Sequence, residues 1–247
     1  MEQKSRLLNE LQEQLEKDKF IEQYKGLSMQ KELDEDFKKL LQKPAVPHLR
    51  ERKVGNFRIE IDYILPEKVI PVVSMRNWLM MGYRPCNTIF INPRPLYKLF
   101  NKSRMLMSDS PQEIFLQYDA YKEARGRVLI GGLGLGMSPT LFAEKDEVSE
   151  VIVVEIEKDI IKLCRPKNKK IKVINDDIWN YLKTTNEKFD YIYIDIHYST
   201  GCMEYIKTIL PMRKILSERF PNIPASFWGE EEMKSQYDPD FDKKYGK

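Results

Sequence analysis

The sequence predicts an α/β protein with a Rossmann-like, mostly parallel sheet, a small N-terminal β-rich unit and a helical N-terminal arm. Three observations predict it. From residue 127 onward, apolar β-branched runs alternate with helical stretches. A cluster of four glycines stands where the first run ends, in "GRVLIGGLGLGMS" at 126–138. An acid, Glu155, ends the second run 23 residues after Gly132.

The arm comes first. Leu7, Leu8, Leu11 and Leu15 recur at helical spacing, as do Met29, Leu33, Phe37, Leu40 and Leu41, with "KGLS" at 25–28 as the break between two helical pieces. The apolar stripe is thin, so residues 1–43 read as an arm lying on this protein or on a neighbouring copy. Proline and charge mark 43–56 as a linker. In "FRIEIDYIL" (57–65), Phe57, Ile59, Ile61, Tyr63 and Leu65 fall on one side, a period of two. "KVIPVVS", "NTIFIN" and "RMLMS" add short strands, so 56–108 forms the β-rich unit. "SPQE" at 110–113 opens a helix: Ser110 caps it, Pro111 suits its first position, and Glu113 completes a capping box.

Residues 109–230 carry the main domain. Strands "RVLIG", "VIVVEIE", "IKVIN" and "FDYIYIDI" are separated by helices starting at Met137, Lys158 and Asp177, and another helix starts at Cys202. Near-continuous apolar strands joined by helices require a parallel sheet covered on both faces. After Asp195 only 52 residues remain, with no further apolar strand pair, which truncates the sheet to four or five strands. Phe227 and Trp228 read as cover for its exposed edge. Residues 231–247 read as a charged, flexible tail.

Composition narrows the function. The 247 residues carry 41 basic and 38 acidic side chains, a net charge of +3, which argues against a dedicated nucleic-acid binder. No segment has the apolar core of a signal peptide or the ~20 apolar residues of a membrane span. Three widely spaced cysteines without a C-x-x-C argue against a disulfide framework or a zinc site. The expectation is a soluble, cytoplasmic protein with no metal, pairing with copies of itself, if at all, through the arm or the β-rich unit.

Three features fall at strand ends, where an open α/β sheet binds ligands. Gly132, Gly134 and Gly136 leave the turn bare for a ligand to lie against. Glu155 can accept both hydroxyls of a ribose. "NDD" at 175–177 brings an acid to the third strand end, either to accept from an adenine amino group or to act as a plain helix cap; Asp176 could exchange roles with Asp177. A dinucleotide fingerprint needs Gly or Ala where Met137 stands, and a side chain of that size would obstruct a pyrophosphate; no Gly-Lys-Ser/Thr follows for a P-loop. A nucleoside without phosphates fits better, and S-adenosyl-L-methionine is the common one. Beyond the fourth strand, Asp195, His197 and Tyr198 are candidates for catalysis, with His197 either a base or a histidine bonded at a strand end.

"RVLIGGLGLG", "VIVVEIEKDII", "VINDDIWNYL" and "FDYIYIDI" together resemble the successive motifs of class I S-adenosylmethionine-dependent methyltransferases, and within them the spermidine-synthase-like branch. "MLMSDSPQEIFLQYDAYKEARGRVLIGGLGLGM" is also similar to short methyltransferase-like proteins of bacteriophages and some bacteria. The resemblance spans about residues 104–230. It implies that Gly132, Gly134 and Gly136 flank the methionine part of the cofactor. Glu155 would bind ribose, Ile156 would pack on adenine, and Asp177 and Ile178 would meet the adenine edge. Asp195 would face the substrate, while Asp109, Gln112, Glu113 and Tyr118 would form a gate. The double acid that follows the fourth strand in spermidine synthases is absent, since His197 and Tyr198 occupy that region. Methyl transfer to an unidentified acceptor is the expected activity, with non-catalytic cofactor binding and aminopropyl transfer as alternatives.

Overall fold

The computed structural model describes residues 35–64, 70–71, 88–89, 92–197 and 200–237. Of the expected arm, 1–34 lies outside these residues; so do Tyr198 and 238–247.

The end of the arm is helix α1 (Glu35–Leu41), which buries Phe37, Leu40 and Leu41. Phe37 packs on Tyr118 and Phe115 of helix α2 (Pro111–Glu123), ring centroids 4.7 and 5.7 Å away. This part of the arm therefore lies on its own protein.

Strands β1 (Arg52–Val54), β2 (Phe57–Ile64), β5 (Arg94–Asn101) and β6 (Arg104–Ser108) form an antiparallel sheet in the order β1-β2-β5-β6. Strands β3 (Ile70–Pro71) and β4 (Thr88–Ile89) pair separately. The alternation expected for β2 holds from Phe57 to Ile61 and then fails. Tyr63 is 66% exposed and Ile64 is buried instead. The supposed linker 43–56 is also corrected. It contains β1 and buries Ala45, Val46 and Leu49. Its anchor is the wholly buried Asp109. One carboxylate oxygen accepts from Ala45 N–H (3.1 Å) and Arg94 Nη1 (3.2 Å), the other from Tyr97 N–H (2.8 Å). A buried carboxylate with that many donors fixes the chain around it.

The second sheet is parallel throughout. It comprises β7 (Gly126–Gly131), β8 (Val148–Glu155), β9 (Ile171–Asn175), β10 (Tyr191–Ile194) and a fifth strand, β11 (Ala225–Phe227). The spatial order β11-β10-β7-β8-β9 reverses direction between β7 and β10, the doubly wound arrangement that opens a crevice at their carboxyl ends. Both faces are covered, and the strands show it residue by residue. Val128, Ile130, Val151, Val153, Tyr191 and Tyr193 join a core shared with α2, α3 (Met137–Ala143) and α4 (Lys158–Cys164). Leu129, Ile152, Val154, Ile192 and Ile194 face the opposite way, into a core shared with α5 (Ile178–Thr184). Each such side chain contributes about 1.5–3 kcal/mol by leaving water.

After β10 the chain runs through α6 (Cys202–Glu204), a π-helical turn (Tyr205–Ile209) and α7 (Leu210–Arg219). The π turn lies just upstream of Pro211, which lacks the N–H that an α-helix would bond four residues back. Phe227, expected to cover the sheet edge, is itself part of β11. The expected tail begins as helix α8 (Glu230–Ser235), whose Met233 is wholly buried. No described helix is long and apolar enough to cross a membrane.

Candidate functional site

A cavity of about 370 Å³ opens at the carboxyl ends of β7, β8, β9 and β10, within the size range of small-molecule sites. Its floor is the glycine turn. Gly132 has φ +96°, and a Cβ there would sit 2.1 Å from the Asp195 carbonyl oxygen, so only glycine lets β7 and β10 end side by side. Gly134 also borders the cavity. Met107 lies against it and accepts through Sδ from Leu135 N–H at 3.2 Å. Gly136 does not border the cavity. It caps α3 and faces Cys164 and Pro166. Met137, the first residue of α3, is wholly buried in the core.

At the end of β8, Glu155 is on the wall and firmly held. One carboxylate oxygen accepts from Leu133 N–H and the other from Glu157 N–H, both at 2.8 Å. These bonds cross-link the two strand ends and use about two of the carboxylate's four lone-pair sites. Ile156 follows, 63% exposed and on the same wall. Asn175 steadies this stretch by donating to the carbonyls of Glu155 and Ile156 at 2.8 and 2.9 Å.

At the end of β9, Asp177 and Ile178 reach the cavity, and Asp176 does not. Asp177 caps α5 through one oxygen, accepting from Trp179 N–H at 2.8 Å. Asp176 is occupied by Asn180 and by the Asp177 N–H. Trp179 lines the cavity as well, a residue that sequence reasoning passed over.

Beyond β10, Asp195 and Glu113 share one wall. Burial pushes each carboxyl up to about 7, and the neighbouring Glu113 charge adds to the effect at Asp195. Asp195 receives a long contact from Gln117 Nε2 (3.4 Å), and the Ser138 hydroxyl donates to Gln117 Oε1 (2.6 Å), orienting that amide. Of the other expected gate residues, Asp109 serves the anchor described above and Tyr118 packs into the core. The side chain of Gln112 is not among those described.

His197 and Trp228 complete this end. Nε2 of His197 and Nε1 of Trp228 are closed off from solvent and have no hydrogen-bond partner among the described residues. Burial lowers the His197 pKa, with the Glu204 charge opposing. The remaining wall comes from the N-terminal sheet through Leu99, Leu106 and Met107. Sequence patterns could not place these, because the contact joins segments far apart in the chain. Glu113, expected both in a gate and in a capping box, lines the cavity, and its N–H donates to Ser110 Oγ at 3.3 Å.

No family model and no curated protein matches the sequence. Among solved structures, the chain is similar to spermidine synthase from Thermotoga maritima (15% identity, 40% of this chain and 38% of that one, TM-score 0.34). It is also similar to a spermidine synthase in complex with the transition-state analogue AdoDATO (16%, 44% and 43%, 0.35). A third likeness is to a SAM-dependent methyltransferase from Archaeoglobus fulgidus (28%, 45% and 46%, 0.32). The chain spans less than half the length of each of these structures.

Proposed function

We propose that the cavity binds S-adenosyl-L-methionine and that the protein transfers its methyl group to an acceptor entering beside β10 and β11. The observation that carries this reading is the placement of Glu155. Two backbone N–H groups hold its carboxylate rigid on the wall of a cavity floored by Gly132, leaving lone pairs for two ribose hydroxyls. The exposed Ile156 and the neighbouring Ile178 offer apolar contact to an adenine ring, and the second oxygen of Asp177 can accept its amino group. The Glu113–Asp195 pair suits the positive charge of a sulfonium, which would draw both acids into the charged form.

When bound, the cofactor supplies an electrophilic methyl group. The residues of this chain orient, exclude water and hold protons. Leu99, Leu106 and Met107 shield the site, and such positioning supplies much of the rate of an in-line displacement. A second reading, aminopropyl transfer, is favoured by one observation: the same acid pair also suits a cationic amine.

Calorimetry separates these readings. Binding of S-adenosylmethionine and S-adenosylhomocysteine supports methyl transfer, whereas tight binding of the decarboxylated cofactor alone would support aminopropyl transfer. At pH 7, in buffers of differing ionisation enthalpy, the sulfonium should release protons from the acid pair more than the uncharged thioether does. Equal release would remove the acid pair from the reading, and no binding of any of the three would refute it. Binding without turnover across a broad acceptor panel would leave a cofactor-binding protein.

A further inference from the structure

We propose that α4, the loop after it and the chain entering β1 together form a docking surface for the phosphate backbone of a duplex nucleic acid. This inference is independent of the cofactor reading. It starts from where the charge lies. Residues 48–52 and 158–170 hold eight of the 41 basic side chains but two of the 38 acidic ones. That is a net +6 in a chain of +3 overall, which leaves the remainder at −3. The near-neutral balance of the whole chain thus conceals a strongly cationic region.

The fold makes the two segments one surface. They run side by side in opposite directions. Gly55 lies against the Asp159 carboxylate, and Arg52 Nη2 donates to the Lys162 carbonyl at 2.6 Å. Further along, burial lowers the His48 pKa, and the charges of Lys167 and Arg50 both reach that ring and add to the effect. Arg50, Arg52, Lys162, Arg165, Lys167 and Lys169 are all exposed. The two acids among them are committed. Glu51 Oε1 accepts from Ile61 N–H at 3.1 Å, and Asp159 pairs with Lys162 at 3.2 Å.

The chemistry selects the partner. Like charges gathered on one face repel one another, and a polyanion relieves that repulsion. Neither segment contains an aromatic residue, so the surface offers no stacking platform for unpaired bases and recognition rests on backbone phosphates. None of the exposed large apolar side chains lies in these segments, so the apolar half that a membrane-lying segment inserts is missing. Ile160 of α4 lines the cavity, so this helix serves both surfaces.

Fluorescence anisotropy of a labelled DNA duplex of about 20 base pairs with the full-length protein tests the surface. Binding should weaken about 100-fold between about 50 and 200 mM salt, as counterion release from about four phosphates requires. Arg50→Ala, Lys167→Ala and Lys169→Ala combined should weaken it about 10–100-fold and flatten the salt dependence. Lys183→Ala, Lys207→Ala and Lys214→Ala combined remove the same charge from the opposite face of the parallel sheet. That variant should change affinity less than about threefold. Should the first variant fold poorly, the wild-type salt titration and the second variant still decide. No duplex binding at the lower salt, or equal loss in both variants, overturns the surface. So does equally tight binding of phosphatidylserine vesicles or polyglutamate. A single strand bound more tightly than the duplex overturns the assignment to paired nucleic acid.

Discussion

The two ends of the cavity treat their polar groups differently. At the ends of β7, β8 and β9, each acid on the wall is already anchored: Glu155 takes two backbone N–H bonds, Asp177 caps a helix, and Gly132 fits the backbone conformation that lets the strands meet. At the ends of β10 and β11, the groups are held but poorly satisfied. Asp195 has one long contact, Glu113 is desolvated, and His197 and Trp228 each bury a nitrogen without a partner among the described residues. The first end resembles a finished mould, rigid before any ligand arrives. The second carries unmet demand, the condition of groups whose ionisation or bonding changes when a ligand arrives.

The comparison can be broken most sharply at Gly132. Gly132→Val puts a branched carbon on the Asp195 carbonyl at a positive φ, so it should cost about 3 kcal/mol or more of stability and abolish cofactor binding. Denaturant titration and calorimetry would check this; near-native values in both would show that the mould is not rigid.

Next comes Glu155→Gln. The amide can accept through one atom only, leaving a backbone N–H unpaired at a cost of about 1–3 kcal/mol. Affinity for S-adenosylhomocysteine should fall about 10–100-fold.

The opposite end should respond with the opposite sign in stability. Glu113 and Asp195 hold protons in the folded state up to about pH 7, against ordinary values of 4.5 and 3.8. The folded protein therefore binds more protons than the unfolded chain between about pH 4 and 7, and stability falls as pH rises through that window. Glu113→Gln and Asp195→Asn should flatten that fall, raising Tm at pH 8 by about 3–6 °C each and changing nothing near pH 4. The same variants should weaken S-adenosylmethionine about tenfold more than its uncharged product. Thermal melts across pH and paired calorimetry measure both; destabilisation at pH 8 would place these acids with the satisfied end.

The smallest effect is expected at Ile156. Ile156→Ser alters an already exposed side chain, so stability should move by less than about 0.5 kcal/mol. Loss of its contact with a ligand ring should nonetheless weaken cofactor binding about 3–10-fold. Unchanged affinity would remove Ile156 from the adenosine wall.

What sequence reading recovered follows the same division. That Gly132, Glu155 and Asp177 gather at one cavity was legible because each stands at a fixed offset from an apolar strand, and a parallel sheet brings strand ends to one edge. The spacing of glycines does not say which of them borders the cavity and which, like Gly136, faces Cys164. Trp228 was taken for edge cover because β11 is only three residues long, too short for a periodic signal. Tyr118 was assigned to a gate, yet it packs on Phe37, a contact made across the whole N-terminal sheet in sequence.

By itself the sequence determined the alternation of strand and helix, the bare turn and the acids at the strand ends, because those depend on neighbouring residues and on periods of two and 3.6. Only the tertiary structure decided that Leu99 and Met107 wall the cavity, that burial raises the Glu113 and Asp195 carboxyls, and that Trp228 and His197 line the same cavity. Burial, and with it the ionisation of an acid or the isolation of a donor, is set by what distant segments place around a group, and no local pattern records that.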